Sequence, residues 1–317
     1  MTPSSRDADR MPKPVIAAID AAHEDVAPAA LGVLLAGLLG QPLVLTTVYP
    51  VDLAIDNLIA DLAANLEREA RTAVERVAEG VREADVPVNV TVVGALSSPA
   101  GSLHALAERE DASVLVLGSS RRGTLGRVFP SAVTDRLLHG APCPVAIAPS
   151  GYSMADVLDG LEIIGAAYVD SADGHTALAA ATRLAEAADA KVRVLTVAEP
   201  LGTLIAANLA GTDLELARKG IDEHAHRTLA EGLALVGEDR SAGGEKLAGP
   251  VAHALAAASG DLDLLVCGSR SHGPLRTLIL GGTSHELVRK ATCPVLVVPR
   301  GTPVAADGHR ATAVTAA

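Results

Sequence analysis

Short runs of Val, Leu, Ile and Ala alternate along the chain with longer stretches in which apolar residues return every three or four positions. Runs of the first kind, lacking polar alternation, predict strands buried on both faces of a parallel sheet, and stretches of the second kind predict the helices that cover it. In the amino-terminal half, strands are predicted at 15–19, 43–48, 88–93, 114–117 and 145–147. Between the second and third, Leu58, Ile59, Leu62, Leu66, Ala70, Ala73, Val74, Val77 and Val81 draw an apolar stripe along one helix, read as a packing face. The carboxyl-terminal half repeats the plan at 163–169, 192–197, 264–267 and 295–298. Its third strand is poorly marked. Ser241-Ala-Gly-Gly-Glu-Lys-Leu247 has little β-propensity, which an edge strand tolerates better than a central one.

The resemblance between the halves extends to the residues themselves. Asp111-Ala-Ser-Val-Leu-Val-Leu-Gly-Ser119 recurs as Asp261-Leu-Asp-Leu-Leu-Val-Cys-Gly-Ser269, an offset of 150. Ala141-Pro-Cys-Pro-Val145 recurs as Ala291-Thr-Cys-Pro-Val295 at the same offset, and Asp20, after the first apolar run, recurs as Asp170. The strand-helix alternation therefore describes two tandem α/β domains, at 13–150 and 160–300, joined by a linker over 150–160. Residues 1–12 and 301–317 lack periodicity and read as flexible tails.

Composition narrows the function. Trp is absent, and Phe129, Tyr49, Tyr152 and Tyr168 are the only aromatic rings, so there are no stacking platforms for single-stranded nucleic acid. A formal net charge of −12 repels a phosphate backbone, and no nucleic-acid partner is expected. No apolar run reaches the length of a membrane span, the longest being Val26 to Leu39 with Pro28 inside it. Residues 1–12 carry no apolar core of a secretory leader. Cys143, Cys267 and Cys293 are odd in number and unclustered, which suits a reducing compartment, and the expected location is the cytoplasm.

In each half the fourth strand runs into a glycine-bearing loop and then a helix: Gly118-Ser-Ser-Arg-Arg-Gly123 and Gly268-Ser-Arg-Ser-His-Gly273. In an open α/β sheet, ligands bind beyond the carboxyl ends of the strands, where a helix start offers free N–H groups to an anion. Neither loop continues into the Lys-Ser/Thr pair of a P-loop, and no Gly-x-Gly-x-x-Gly fingerprint is present. Two glycines five apart also serve a tight turn.

The run from Gly268 through Pro-Leu-Arg-Thr-Leu-Ile-Leu to Gly281-Gly-Thr-Ser, followed by Ala-Thr-Cys-Pro294-Val, resembles the signature of the universal stress proteins. The first half resembles it too, through Gly118 to Gly123 and Ala-Pro-Cys-Pro144-Val, so the resemblance spans residues 13–300 twice over. It implies two Rossmann-like, flavodoxin-like domains, each a five-stranded parallel sheet in order 3-2-1-4-5 flanked by helices. Many members bind ATP through a Gly-x2-Gly-x9-Gly-Ser/Thr loop. In the second half Gly268 and Gly281 match, Ser271 stands where the second glycine belongs, and Gly282 replaces the hydroxyl residue that Thr283 or Ser284 could supply. Gly273 lies in the same loop. In the first half only Gly118 matches, with Arg121, Ser131 and Ala132 at the other places and Gly123 nearby. Three such departures weaken binding by about a thousandfold. The family's adenine contacts fall on Asp20 with Val48 and on Asp170 with Val197, the second Asp one place later than the commonest family pattern.

Other constellations lead elsewhere. His224 and His226 do not share a helix face and lack a third ligand, so no metal is expected. His272 and His285 flank the second loop, and Arg121, Arg122 and Arg127 crowd the first; solvated loop residues account for both groups. No Gly-x-Ser-x-Gly elbow follows a strand, which disfavours a hydrolase. The fifth strands, bracketed by prolines at 144–149 and 294–299, present apolar edges, and the family's habit of pairing through this strand implies that the two halves join there within one chain. The expected function is a non-enzymatic stress-response binding or signalling role, with ATP as a ligand of the second half. The alternatives are a nucleotide-independent interaction module with degenerate loops and, third, a slow ATPase.

Overall fold

The computed structural model describes residues 13–20, 25–51, 57–82, 84–95, 98–119, 132–138, 140–198, 212–269 and 282–299. Its first half runs β1 (Val15–Ala18), α1 (Ala27–Leu39), β2 (Leu43–Pro50), α2 (Asn57–Glu79), β3 (Val88–Ala95), α3 (Pro99–Arg109), β4 (Val114–Gly118), α4 (Ala132–Leu138) and β5 (Val145–Ala148). A six-residue helix, α5 (Met154–Asp159), occupies the connection. The second half runs β6 (Ile163–Ala167), α6 (Ala172–Ala188), β7 (Lys191–Ala198), α7 (Thr212–Val236), β8 (Ser241–Ala248), α8 (Val251–Ala258), β9 (Leu264–Gly268), α9 (Gly282–Lys290) and β10 (Val295–Val298). No helix among the described residues is long and apolar enough to cross a membrane.

All ten strands form one sheet in the order β3-β2-β1-β4-β5-β10-β9-β6-β7-β8. Each half is parallel and keeps the order 3-2-1-4-5, the fold class expected from the sequence. The halves meet at an antiparallel seam, where Val295, Leu296 and Val297 of β10 face Ile147, Ala146 and Val145 of β5. Every one of these six residues is fully buried. Two cores run the length of the sheet, one on each face. Val114 and Val116 point into the core under α1, α2 and α6, while Leu115 and Leu117 point into the core under α3, α4, α8 and α9. Each core draws residues from both halves, so the seam is continuous interior, not a contact between finished domains.

The longest apolar run of the sequence becomes α1, where every residue except Gly37 is buried. A helix that is apolar all round needs cover on every side. α1 finds it against its own sheet and against α5 and α6 across the seam. Asp25 starts this helix by accepting the Ala27 N–H at 3.1 Å, and Gly40 ends it at φ 63°.

One element departs from the sequence pattern, and one faintly marked element follows it. Of the stripe read for α2, Ala70, Ala73, Val74, Val77 and Val81 are buried, whereas Leu62 is 55% exposed. A helix of 23 residues spans about 34 Å, whereas the eight-residue strand beneath it spans about 26 Å, so the first turns of α2 overhang the strand ends. The poorly marked stretch at 241–247 is indeed the third strand of its half and lies at the sheet edge. Its two glycines serve different ends: a β-carbon on Gly244 would stand 2.7 Å from Leu229 Cδ1, so α7 lies closer to β8 there than a side chain permits, whereas Gly243 has open space around it and takes φ 89°.

Candidate functional site

Beyond the carboxyl ends of β1, β2 and β4, the first half opens into a cleft of about 600 Å³. This is the point where strand order reverses, the usual ligand position in an open α/β sheet. Its floor is built by Ile19, Asp20, Thr47, Val48 and Gly118, and its walls by Leu66 and Glu69 of α2, Leu103 of α3, Thr134 of α4 and Pro28 of α1. The strand ends are held in place by backbone. Ile19 donates its N–H to Thr46 O at 2.7 Å, Thr47 returns its hydroxyl to Ile19 O at 2.8 Å, and Ser119 donates its N–H to Ala148 O at 3.0 Å.

Gly118 is fixed by close approach. A β-carbon there would stand 2.9 Å from Asp25 Oδ2 and 3.0 Å from Pro28 Cγ, so the start of α1 sits directly on the strand end. Tyr49 lines the rim and donates its hydroxyl to Glu67 Oε2 at 3.2 Å. Partial burial, then the Glu67 charge, raises the pKa of that phenol, so it stays protonated.

Asp20, Val48 and Gly118 are thus brought together on one cleft. Ala132 begins α4. Arg121, Gly123 and Ser131 lie outside the described residues, as do Arg122 and Arg127.

In the second half, Tyr168 donates its N–H to Leu195 O at 2.9 Å, and Thr196 donates its hydroxyl to Tyr168 O at 3.2 Å. These bonds repeat those of Ile19 and Thr47 at an offset of 149, not 150. The ladders agree, since Ile16 pairs with Leu115 while Gly165 pairs with Leu265. Val197 therefore matches Val48, but the residue matching Asp20 is Val169, which is 44% exposed. Asp170 falls one place later, where its carboxylate meets His175 Nε2 at 3.2 Å. The His175 ring stands edge-on to Tyr168, centroids 5.4 Å apart.

Gly268 ends β9, where a β-carbon would lie 2.7 Å from Asp173 O in the first turn of α6. Gly282, Thr283 and Ser284 open α9, the counterparts of the residues that open α4. Ser271, Gly273, Gly281 and His272 lie outside the described residues.

The two histidines of α7 are engaged separately. His224 meets Arg227, while His226 meets Asp222, which also accepts from Lys246. Among the described residues, no three His, Cys, Asp or Glu side chains gather as metal ligands.

Sequence reasoning did not assign Asp25, Tyr49, Leu66, Glu69 or Ser119 to the site. Asp25 carried a readable signal, an acid just before a helix-starting Ala-Pro pair. Glu69 and Leu66 carried none, because their nearness to β2 depends on how far α2 overhangs the sheet.

A parallel sheet of this order, duplicated about an antiparallel seam and cleft at its reversal point, defines a tandem flavodoxin-like α/β protein. The sequence matches the model of the universal stress protein family twice, over residues 11–149 and 161–299. A universal stress protein of Mycobacterium tuberculosis is 31% identical over 243 residues, covering 75% of this chain and 80% of that one. One from Thermus aquaticus is 34% identical over 133 residues, 42% of this chain but 94% of its own length, the size of a single half. Among solved structures, a universal stress protein from Archaeoglobus fulgidus superposes with a TM-score of 0.61 at 18% identity, covering 91% of this chain and 98% of that one. The chain belongs to the universal stress protein family.

Proposed function

We propose that this chain is a stress-response protein of the binding class, acting by holding an adenine nucleotide rather than by catalysis, with the nucleoside in the cleft of the first half. The observation that carries this reading is the convergence of Asp20, Val48 and Gly118 on one cleft of about 600 Å³. That volume lies within the range of small-molecule sites. Each half has kept a different part of the ancestral arrangement. The second retains the motif glycines Gly268 and Gly281 but carries Val169 where the first carries Asp20. Sequence favoured the second half on its glycines, and the register favours the first on its aspartate.

Slow ATP hydrolysis is not part of the proposal. Three free and buried thiols suit a reducing compartment, and the cytoplasm is the location proposed.

Calorimetric titration of ATP and AMP tests the reading. The wild type is expected to bind one nucleotide per chain, Asp20→Ala to weaken binding about tenfold to a hundredfold, and Asp170→Ala to leave it unchanged. Absence of heat with either nucleotide would favour a nucleotide-independent interaction module. Equal losses in the two variants would move the site away from the cleft.

A further inference from the structure

The sheet ends in two edges, β3 in the first half and β8 in the second, and the two are built differently. β8 is ill-suited to accept another strand. Its ladder with β7 slips between Val192 and Val194, Gly243 takes φ 89°, and Glu245 and Lys246 put charge on it. Bulges, local twist and charge are the means by which an edge is kept from pairing with another chain. β3 has none of them. Its sequence, Val-Asn-Val-Thr-Val-Val-Gly-Ala, is uncharged, free of proline and rich in β-branched residues, and all eight positions pair with β2 without a shift.

The register identifies the backbone groups that β3 leaves unused. Leu43 pairs with Val88 and donates its N–H to Pro87 O at 2.8 Å, and at the other end Val51 donates to Ala95 O at 3.1 Å. In such a ladder the N–H and C=O of one residue point to the same side, and those of the next residue to the other. Residues 89, 91, 93 and 95 therefore bond to β2, while Val88, Val90, Val92 and Gly94 turn their groups outward. Ser102 donates its hydroxyl to Gly94 O at 3.5 Å. Among the described residues, nothing bonds to the outward N–H and C=O groups of Val88, Val90 and Val92.

We infer that β3 is an interface through which two copies of this chain pair, antiparallel, about a two-fold axis at Val90. In that arrangement the strand is its own complement. Val90 exchanges both bonds with Val90 of the second copy, and Val88 exchanges both with Val92 in each direction, so every outward group of the three valines is satisfied. Their half-buried side chains share one face of the sheet and meet valines across the axis. No charged residue of one β3 faces a like charge of the other, because the strand carries none. The seam between β5 and β10 already joins the two halves of one chain edge to edge and antiparallel. With β8 ill-suited to pairing, the assembly closes at two copies. Three valines a side make a contact smaller than that of a permanent dimer, so the pair is reversible.

The test is sedimentation equilibrium of the full chain over a wide range of protein concentration. It is run at physiological ionic strength, where repulsion between two chains of net charge −12 is screened. Monomer and dimer are expected, and nothing larger. Hydrogen exchange read by mass spectrometry should show residues 88–93 better protected at high concentration than at low. Val90→Pro removes an N–H that has no partner within the chain, so the ladder with β2 survives; by symmetry it deletes two bonds of the dimer, which should weaken about tenfold to hundredfold. Val90→Ala, which also trims the side chain but keeps the N–H, should weaken it less. Should circular dichroism show that Val90→Pro does not fold, the exchange of the wild type decides. A dimer that folded Val90→Pro leaves intact would put the interface elsewhere and overturn the inference. Open assemblies larger than a dimer would overturn the closed pair. A wild type that stays monomeric would overturn it too, and protection of residues 88–93 in that monomer would show that a segment of the same chain covers the strand.

Discussion

Tyr168 and Gly232 offer the sharpest test of how the second half is packed. Tyr168 stands where the first half has Ile19, and its ring is buried against α7 at Gly232. A β-carbon on Gly232 would lie 2.8 Å from Tyr168 Cδ1 and 2.9 Å from Val194 Cγ1, both inside contact distance. Gly232→Ala should gain about 1 kcal/mol of helix propensity and lose about 1–3 kcal/mol to overpacking. The net expectation is a loss of about 0–2 kcal/mol. With Tyr168→Ile, which alone costs about 2–4 kcal/mol for the vacated ring, one of the two obstacles to the new methyl group is gone, while Val194 Cγ1 remains. Gly232→Ala should then cost less than in the wild type, giving a coupling of about 1 kcal/mol in the double-mutant cycle. Urea denaturation followed by far-UV circular dichroism is the suitable assay, since the chain has no Trp to report by fluorescence. Changes that add to within about 0.5 kcal/mol would refute the idea that this glycine is kept to make room for the ring.

Two further outcomes follow from the charges and thiols. Burial pushes the Cys143, Cys267 and Cys293 thiols up to about 12, so at pH 8 about one in ten thousand is thiolate and a thiol reagent should label none of them until urea is added. Rapid labelling of the folded chain would contradict the burial. On the edge strand, the hydrogen bond from Lys246 holds the Asp222 carboxyl below its ordinary 3.8, with desolvation opposing and His226 adding to the effect. A depressed carboxylate stabilises the fold above its unfolded pKa and loses that contribution as pH falls through the folded value, here below about 3.8. Lys246→Met should therefore raise the Asp222 midpoint in an NMR titration, and an unmoved midpoint would show that the contact does not persist in solution.

Most of the sheet was legible because its strands are buried on both faces and so are written as unbroken apolar runs. β8 was faint for a local reason: Gly244 answers to the closeness of α7 and Gly243 to a positive φ, and glycine carries no hydrophobic signal. The candidate site was legible only in outline. An offset of 150 holds for β4 and β5, whose landmarks dominate the alignment by eye, and it pairs Asp20 with Asp170. For β1 and β2 the offset is 149, a difference visible beforehand only in Thr47-Val48 against Thr196-Val197. One residue in register decides whether a carboxylate faces the cleft, and a repeat read from its clearest blocks does not carry that information. The Ser119 hydroxyl, in the lining of the cleft, has no hydrogen-bond partner among the described residues, and nothing in the sequence carries that information.

The seam between β5 and β10 also governs how this molecule can change. In an assembly of two copies of one polypeptide, any replacement appears on both sides of the symmetry axis, and a swap harmful to either side is lost. Joining the pair on one backbone removes that constraint, and aspartate and valine can then occupy Asp20 and Val169, or isoleucine and tyrosine Ile19 and Tyr168. Shared interior keeps the partners bound while each drifts, so one can specialise and the other can hold it upright.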